Sequence, residues 1–302
     1  MGDVGLCDRG SVYMTVYSTV SLVIYLILSP FIACLFSGVD RIVTARMQGR
    51  RGPKLMQPWY DIIKLFAKEN TAVNDVQKIL VMAHCFFAIF SGAIFFAGGD
   101  ILLVLFALTM AEVFLILAAY SVNAAYSEIG AQRELLQMMA YEPMTLLTAV
   151  GFYLSTGSFK VEEIVETGMP LIIKMPGFFL GFCFILVVKF RKSPFDIATS
   201  HHAHQEIIKG LTGDLSGPAY GFSELAELYE EILMLGIVGL FFITSDPISF
   251  VWAAVAVAVV LFCMSLVDNI FPRIKWETLL KASWLVTLFA GGANLVVLSL
   301  VK

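Results

Sequence analysis

Charged residues are scarce in this sequence. Aspartate, glutamate, lysine and arginine make up 15% of its 302 residues, whereas soluble chains carry about 25%. With 59% hydrophobic residues and a mean hydropathy of +0.83, the composition excludes an ordinary soluble enzyme and predicts an integral membrane protein. The apolar run 251–267 lacks the polar alternation of a barrel strand. The spans are therefore predicted to be helices, which satisfy their own backbone hydrogen bonds in lipid.

Cysteine is also scarce. The five cysteines are far apart and no two are separated by two residues, so neither a disulfide framework nor an iron–sulfur or zinc site is predicted. The sequence has no glycine-rich phosphate loop, no nucleophile elbow and no basic tail, and we expect no catalytic residue and no nucleic-acid partner. No cofactor is therefore expected in this chain.

Long apolar stretches dominate what remains. They predict an all-α fold: a polytopic transmembrane helical bundle of about eight spans, with residues 1–302 forming a single integral membrane domain. The predicted spans are Ser11–Phe36, Ile79–Gly98, Ile101–Tyr120, Leu136–Leu154, Pro170–Val188, Ile232–Ser245, Pro247–Val267 and Ala282–Val301.

The basic residues predict the orientation. The loops after spans one, three, five and seven hold 16 of the 20 lysines and arginines. Because cytoplasmic loops carry the excess of basic residues, these loops are predicted to be cytoplasmic and both termini to lie outside the cell membrane.

The first cytoplasmic loop contains an amphipathic segment. Trp59, Ile62, Ile63 and Phe66 recur at helical spacing, and Pro58 suits a helix start. This pattern predicts a helix in the membrane interface, in contact with the lipid bilayer.

Basic residues precede that segment. They are predicted either to dock a peripheral protein or to act as a topology signal that meets anionic headgroups. The candidate docking residues are Arg41, Arg46, Arg50 and Arg51, with Arg133 in the next cytoplasmic loop.

Two acids fall within predicted spans. Glu112 lies near the middle of the third span, and Glu142 precedes Pro143 in the first turns of the fourth. A charged acid at mid-bilayer costs about 2.5–3.5 kcal/mol on insertion scales, and such residues usually serve ion or proton pathways. Glu142 is equally consistent with an interfacial helix end.

The third cytoplasmic loop is rich in acids and histidines. Its candidate coupling acids are Asp196, Glu206, Asp214, Glu224, Glu227 and Glu231. Positions 224, 227 and 231 share one helix face, which is also consistent with a solvated surface. His201, His202 and His204 have a spacing too weak to predict a metal site, and we interpret them as interface or proton-carrying residues.

Three motifs occur in order in the cytoplasmic loops. They are 46–48 with 51–53 and 55–58, then 130–133 with 141–142, then 194–196 with 214–217 and 225–227. Together with eight spans, they resemble the membrane subunit shared by respiratory complex I, where it is called subunit 1 or the H subunit, and energy-converting hydrogenases.

Two departures from the complex I pattern indicate which branch of this family the sequence resembles. Only Lys54 separates the 51–53 and 55–58 elements, where complex I members have a longer insert, and the stretch 200–206 reads Ser-His-His-Ala-His-Gln-Glu. This combination resembles the Ech-type energy-converting nickel–iron hydrogenases. A quinone-reducing complex I subunit and a formate- or carbon-monoxide-linked hydrogenase subunit remain alternatives. An independent secondary transporter is a third, although no inverted repeat is evident.

The resemblance implies a multisubunit complex that oxidises ferredoxin and reduces protons to hydrogen, or runs in reverse, while moving protons or sodium ions. This chain would be its non-redox coupling and anchor subunit, with the acids above forming one connected file. The nickel–iron centre and iron–sulfur clusters would belong to partners: the hydrogenase large and small subunits, iron–sulfur subunits and an antiporter-like membrane subunit.

Overall fold

A computed structural model describes residues 4–71, 74–198 and 209–301, with side chains from Thr19 onward. Helices joined by short connections make up this part of the chain, which contains no named strand. The α-helices are α1 (Val4–Met47), α2 (Gln57–Phe66), α3 (Asp75–Phe96), α4 (Ile101–Tyr120), α5 (Ala125–Thr156), α6 (Val161–Val165), α7 (Pro176–Lys189), α8 (Gly217–Leu240), α9 (Ser249–Ile270), α10 (Trp276–Val286) and α11 (Ala293–Val301).

Five helical segments are long and apolar enough to cross a membrane: Thr19–Met47, Asp75–Phe96, Ile101–Tyr120, Ser249–Ile270 and Trp276–Leu300. The predicted all-helical membrane protein is confirmed at this level. The other three predicted spans overlap α5, α7 and α8, which these criteria do not select. The last segment is continuous because a π-helical turn, Thr287–Gly292, joins α10 to α11.

The helix α8 extends well before the predicted span Ile232–Ser245. It begins at Gly217, with Pro218 in its first turn, and ends at Leu240. Proline is favoured there because its missing N–H needs no partner in the first turn. As a result, Glu224, Glu227 and Glu231 are carried on one helix that continues into the bundle.

The centre of the bundle lies where α5, α7 and the end of α8 meet. Phe152, Phe178, Phe182 and Phe241 are fully buried there, and the ring centroids of Phe152 and Phe241 are 4.8 Å apart. Near the third loop, a Cβ at Gly130 would lie 2.5 Å from the Gly210 carbonyl carbon. Glycine at that position therefore allows the end of the loop to pack directly on α5.

The predicted amphipathic helix is confirmed as α2, with Pro58 in its first turn. Its apolar face is divided. Ile62 is buried with residues of α1 and α8, and Trp59 packs on Phe31 with ring centroids 4.5 Å apart, whereas Ile63 and Phe66 remain exposed. Protein contacts thus hold α2 in place on one side.

A proline inside α1 leaves one backbone carbonyl without its helical hydrogen bond, and a side chain of α8 supplies the donor. Pro30 has no N–H, so the carbonyl of Leu26, four residues earlier, loses its helical donor. The Tyr229 hydroxyl donates to this carbonyl oxygen at 2.8 Å. This bond ties α1 to the part of α8 that carries the glutamates.

Loss of the Tyr229 hydroxyl should therefore be costly only while Pro30 is present. We expect Tyr229→Phe to destabilise the protein by about 1 kcal/mol, since it removes the donor of the Leu26 carbonyl at a part-buried site. Pro30→Ala restores the helical donor and should largely suppress that loss. Thermal unfolding of the four variants in detergent measures the coupling, with Tyr60→Phe at an exposed site as control. An equal effect of Tyr229→Phe in both backgrounds would contradict this explanation.

Candidate functional site

The C-terminal end of α7 places a lysine in the interior. Lys189 is the last residue of α7, and its side chain is only 3% exposed. Its ammonium group donates to Glu112 Oε1 of α4 at 2.7 Å and to Tyr141 Oη of α5 at 3.1 Å, and it forms an ion pair with Glu230 of α8. Four helices therefore converge on one buried cation.

Arg191 adds a second cation two residues later. Its φ of +49° is in the left-handed region that non-glycine residues rarely adopt. The guanidinium donates to Glu134 Oε1 at 3.0 Å and to Glu227 Oε1 at 2.6 Å, and it lies 3.8 Å from Glu112 Oε2. Burial disfavours its charge, but Glu134, Glu227 and Glu112 outweigh that effect and raise the pKa of Arg191 above its usual value.

These six residues form what we term the charge cluster: Glu112, Glu134, Glu227, Glu230, Lys189 and Arg191. It has four carboxyl groups and two cations. If every carboxyl group were ionised, the cluster would carry two excess negative charges, which desolvation and mutual repulsion oppose. Glu112 Oε2 and Glu134 Oε2 are buried and have no hydrogen-bond partner among the described residues. The arrangement is therefore suited to hold exchangeable protons.

A second set of charges lies in residues 190–198, the connection that follows α7. Lys192 pairs with Asp40 of α1, which also accepts a hydrogen bond from Ser265 of α9. Burial disfavours the ammonium charge, but Asp40 more than compensates and raises the pKa of Lys192. Nearby, Asp196 pairs with Arg273; burial raises the pKa of Asp196, although Arg273 opposes that shift.

Every member of the charge cluster except Glu134 lines one cavity of about 280 Å³, together with Lys192, Asp40 and Asp196 of the second set. Its wall has twice as many carboxyl groups as cationic groups. The carboxyl groups belong to Asp40, Glu112, Asp196, Glu224, Glu227, Glu230, Glu231 and Asp268, and the cations to Lys189, Arg191, Lys192 and Lys209.

A comparison with known families shows to which of them the chain is related. The sequence profile described as NADH dehydrogenase matches residues 20–299. The chain belongs to this family. The resemblance seen in the loop motifs is thereby confirmed.

Relatives within the NADH dehydrogenase family come from two kinds of complex. Hydrogenase-4 component C of Escherichia coli (strain K12) is 29% identical over 247 residues, covering 76% of this chain and 74% of that protein. The H subunit of NADH-quinone oxidoreductase from Anoxybacillus flavithermus (strain DSM 21510 / WK1) is 27% identical over 293 residues, covering 87% of each.

A solved structure shares the fold. It is a chain of the membrane-bound sulfane sulfur reductase, an archaeal respiratory membrane complex, with a TM-score of 0.82 and 24% identity. The match covers 93% of this chain and 99% of that one. This likeness shows that the two chains share the arrangement of their helices.

The structure brings together many of the acids predicted in this family member. Glu112, Asp196, Glu224, Glu227 and Glu231 all line the cavity. The remaining predicted residues are placed otherwise. Asp214 is exposed and accepts a hydrogen bond from Ser127, Glu142 is half-buried in α5 and does not line the cavity, and Glu206, His201, His202 and His204 lie outside the described residues.

The predicted docking residues differ in their surroundings. Arg41 pairs with Asp61 of α2 at 3.0 Å, and both side chains are partly exposed. Arg50 donates to the side chain of Gln48, and Arg46 and Arg51 are exposed. Arg133 is half-buried in α5. The exposed surface of the first loop therefore centres on Arg46, Arg50 and Arg51.

Sequence reasoning missed four of the six cluster residues. Lys189 and Arg191 counted only among the loop cations, and Glu134 and Glu230 were not selected as candidate coupling acids. A signal was present. An acid buried in a span needs a buried cation or a proton, and Lys189 directly follows the apolar run of the fifth span.

Removing the buried lysine should be strongly destabilising. Lys189→Met leaves Glu112 and Glu230 without their cation, and breaking a buried pair on one side typically costs about 3–5 kcal/mol. We expect a large fall in the thermal unfolding midpoint in detergent. The matched control is Lys160→Met, since Lys160 pairs with Glu163 on an exposed surface and should give no measurable change. Equal midpoints for the two variants would show that the charge cluster contributes nothing to stability.

Proposed function

We propose that this chain is the membrane coupling and anchor subunit of a ferredoxin-linked, reversible hydrogen-evolving energy-converting hydrogenase. In this role it docks the peripheral redox arm and links electron transfer to the movement of protons or sodium ions. The observation that carries the proposal is the buried charge cluster, five of whose six residues line the same cavity as Lys192 and Asp196 of the 190–198 connection.

The cluster is suited to coupling because its charge is not balanced internally. Two cations face four carboxyl groups, so a change of charge or geometry nearby would redistribute protons among them. Moving one charge through the membrane field is worth about 2.3 kcal/mol per 100 mV. A small number of such transfers is enough to store energy from a redox reaction.

The proposal includes a topology. The chain crosses the cell membrane eight times, through the five segments named above and through α5, α7 and α8. Both termini lie outside, α2 lies at the cytoplasmic interface, and the loops with Arg46, Arg51 and Arg133 face the redox arm. The excess of basic residues in the odd-numbered loops supports this orientation.

The redox chemistry is assigned to partners. The nickel–iron centre and iron–sulfur clusters would belong to the hydrogenase large and small subunits and to iron–sulfur subunits, with an antiporter-like membrane subunit alongside. The wide spacing of the five cysteines supports this division. The relationship to hydrogenase-4 component C also supports it.

A second candidate is a subunit of a quinone-reducing complex. The match to the H subunit of NADH-quinone oxidoreductase covers 87% of this chain, against 76% for hydrogenase-4 component C. The short connection at Lys54 weighs against it. Purification in mild detergent separates the two: a nickel-containing partner supports the hydrogenase, and a flavin-containing partner the quinone-reducing complex.

Coupling should depend on the carboxyl groups of the cluster. We expect Glu112→Gln and Glu230→Gln to abolish ferredoxin-driven ion uptake into inverted membrane vesicles, because glutamine cannot carry the exchanged proton. Dye-linked hydrogen oxidation, which takes place in partner subunits, should persist and reports assembly.

Two further variants sharpen this experiment. Glu128→Gln changes an exposed acid in the first turn of α5 and should leave uptake unchanged. Glu142→Gln tests separately the predicted coupling role of an acid outside the cavity. Normal uptake in both Glu112→Gln and Glu230→Gln would reduce the cluster to a structural element and remove the support for coupling.

Docking should depend on the exposed arginines. Charge reversal in Arg46→Glu or Arg51→Glu should detach the redox arm, because fixed cations would otherwise pair with its carboxylates or carbonyls. Co-purification of the partner subunits measures the effect. The control is Lys160→Glu, which reverses a charge beyond the C-terminal end of α5 and outside the first loop. Retention of the full arm by both reversed variants would leave these arginines as a topology signal.

A further inference from the structure

Helix α3 carries three buried polar residues at intervals of seven, Gln77, His84 and Ser91. Residues at this spacing lie on one face of a helix. Two of them bond to backbone carbonyls of α4. Ser91 Oγ donates to the Val104 oxygen at 2.7 Å, and His84 Nδ1 lies 2.8 Å from the Ala111 oxygen. The face therefore fastens α3 to α4.

The bond to Ala111 fixes the tautomer of His84. A carbonyl oxygen can only accept, so Nδ1 must carry a hydrogen and, in the neutral ring, Nε2 must be the bare nitrogen. His84 is 1% exposed, and its Nε2 has no hydrogen-bond partner among the described residues. A role in fastening the helices accounts fully for Ser91 but for only one of the two ring nitrogens of His84.

The surroundings of His84 are those of the charge cluster. The carbonyl that it bonds belongs to the residue directly before Glu112. The charged groups that act on the ring are Glu112 of α4, Lys189 of α7 and Arg191. At this level α8 contributes Ala226, which packs with Cys85 and Ala111. Glu112 favours a positive charge on the ring, whereas burial, Arg191 and Lys189 oppose it.

We propose that His84 is a proton-relay residue of the charge cluster. In the relay step the O–H bond of the Glu112 carboxyl group breaks and an N–H bond forms at His84 Nε2, directly or through one water. The products are a carboxylate and an imidazolium ion, and the reverse step restores the neutral pair. Nδ1 keeps its hydrogen bond to Ala111 throughout. The inference rests on the proposed coupling function and adds a site on α3 to it.

The tautomer and its titration can be observed directly. The full chain with His201, His202 and His204 replaced by glutamine has His84 as its only histidine. In lipid bilayers, ¹⁵N solid-state NMR of histidine-labelled protein should show Nδ1 protonated at every pH. Nε2 should change from bare to protonated as the pH is lowered stepwise, because it is the nitrogen of this ring that titrates. A hydrogen fixed on Nε2, or an Nε2 that stays bare, would overturn the proposal.

The functional test uses the intact complex in inverted vesicles. His84→Asn keeps an amide donor for the Ala111 carbonyl but has no titratable nitrogen. It should lower ion uptake at least tenfold and remove the pH dependence due to the imidazole. Ser91→Ala breaks the equivalent bond to Val104, two turns along the same face, and should keep both the rate and the pH profile. Wild-type uptake and pH profile in His84→Asn would make His84 a fastening residue only.

The outcomes separate this inference from the proposed function. If Glu112→Gln and Glu230→Gln lose uptake while His84→Asn does not, coupling stands and the relay is wrong. If the glutamate variants themselves retain uptake, the coupling function fails, and the NMR titration still decides whether Nε2 exchanges a proton.

Discussion

The arrangement of the helices in this bundle depends on the buried ammonium group of Lys189. An isolated charge cannot be kept at a site only 3% exposed without partners, since its desolvation is worth several kcal/mol. Its partners come from α4, α5 and α8, so the need to satisfy one cation fixes the relative positions of four helices. The phenylalanines at the centre of the bundle supply cohesion, but they pack without such directional requirements.

The same interaction explains why this site is both stable and responsive. Lys189 and Arg191 are separated by one residue and pair with different carboxylates, except that both approach Glu112. The Glu112 carboxylate therefore lies close to both cations. A shift of the 190–198 connection would change the distances on both sides of that carboxylate at once. Because Lys192 and Asp196 anchor the connection to α1 and to Arg273, the movement of any of these elements reaches the cluster.

Much of this arrangement follows from sequence alone, and the limits have physical causes. Hydropathy located the five segments long and apolar enough to cross a membrane, because backbone satisfaction in lipid requires helices. Glu112 stood out because an acid within an apolar run is costly to bury. The start of α8 at Gly217 could not be predicted from hydropathy, because its first turns are polar. The partners of Glu112 could not be read from the sequence, since Lys189 lies 77 positions away and only the packing of both α4 and α7 on α5 makes them neighbours. Glu134 escaped notice because it lies just before the predicted span Leu136–Leu154, where an acid usually faces water, and only the fold brings Arg191 to it.

The length of α7 has an electrical consequence. Its 14 residues rise about 21 Å at 1.5 Å per residue, less than the roughly 30 Å of a bilayer core. A polar cavity reaches the C-terminal end of this short helix. In the proposed topology, where α7 crosses the membrane, the low-dielectric path along this helix is shorter than the path through the surrounding lipid. A proton that crossed along α7 would then move through most of the transmembrane potential over a shorter distance than the lipid around it offers.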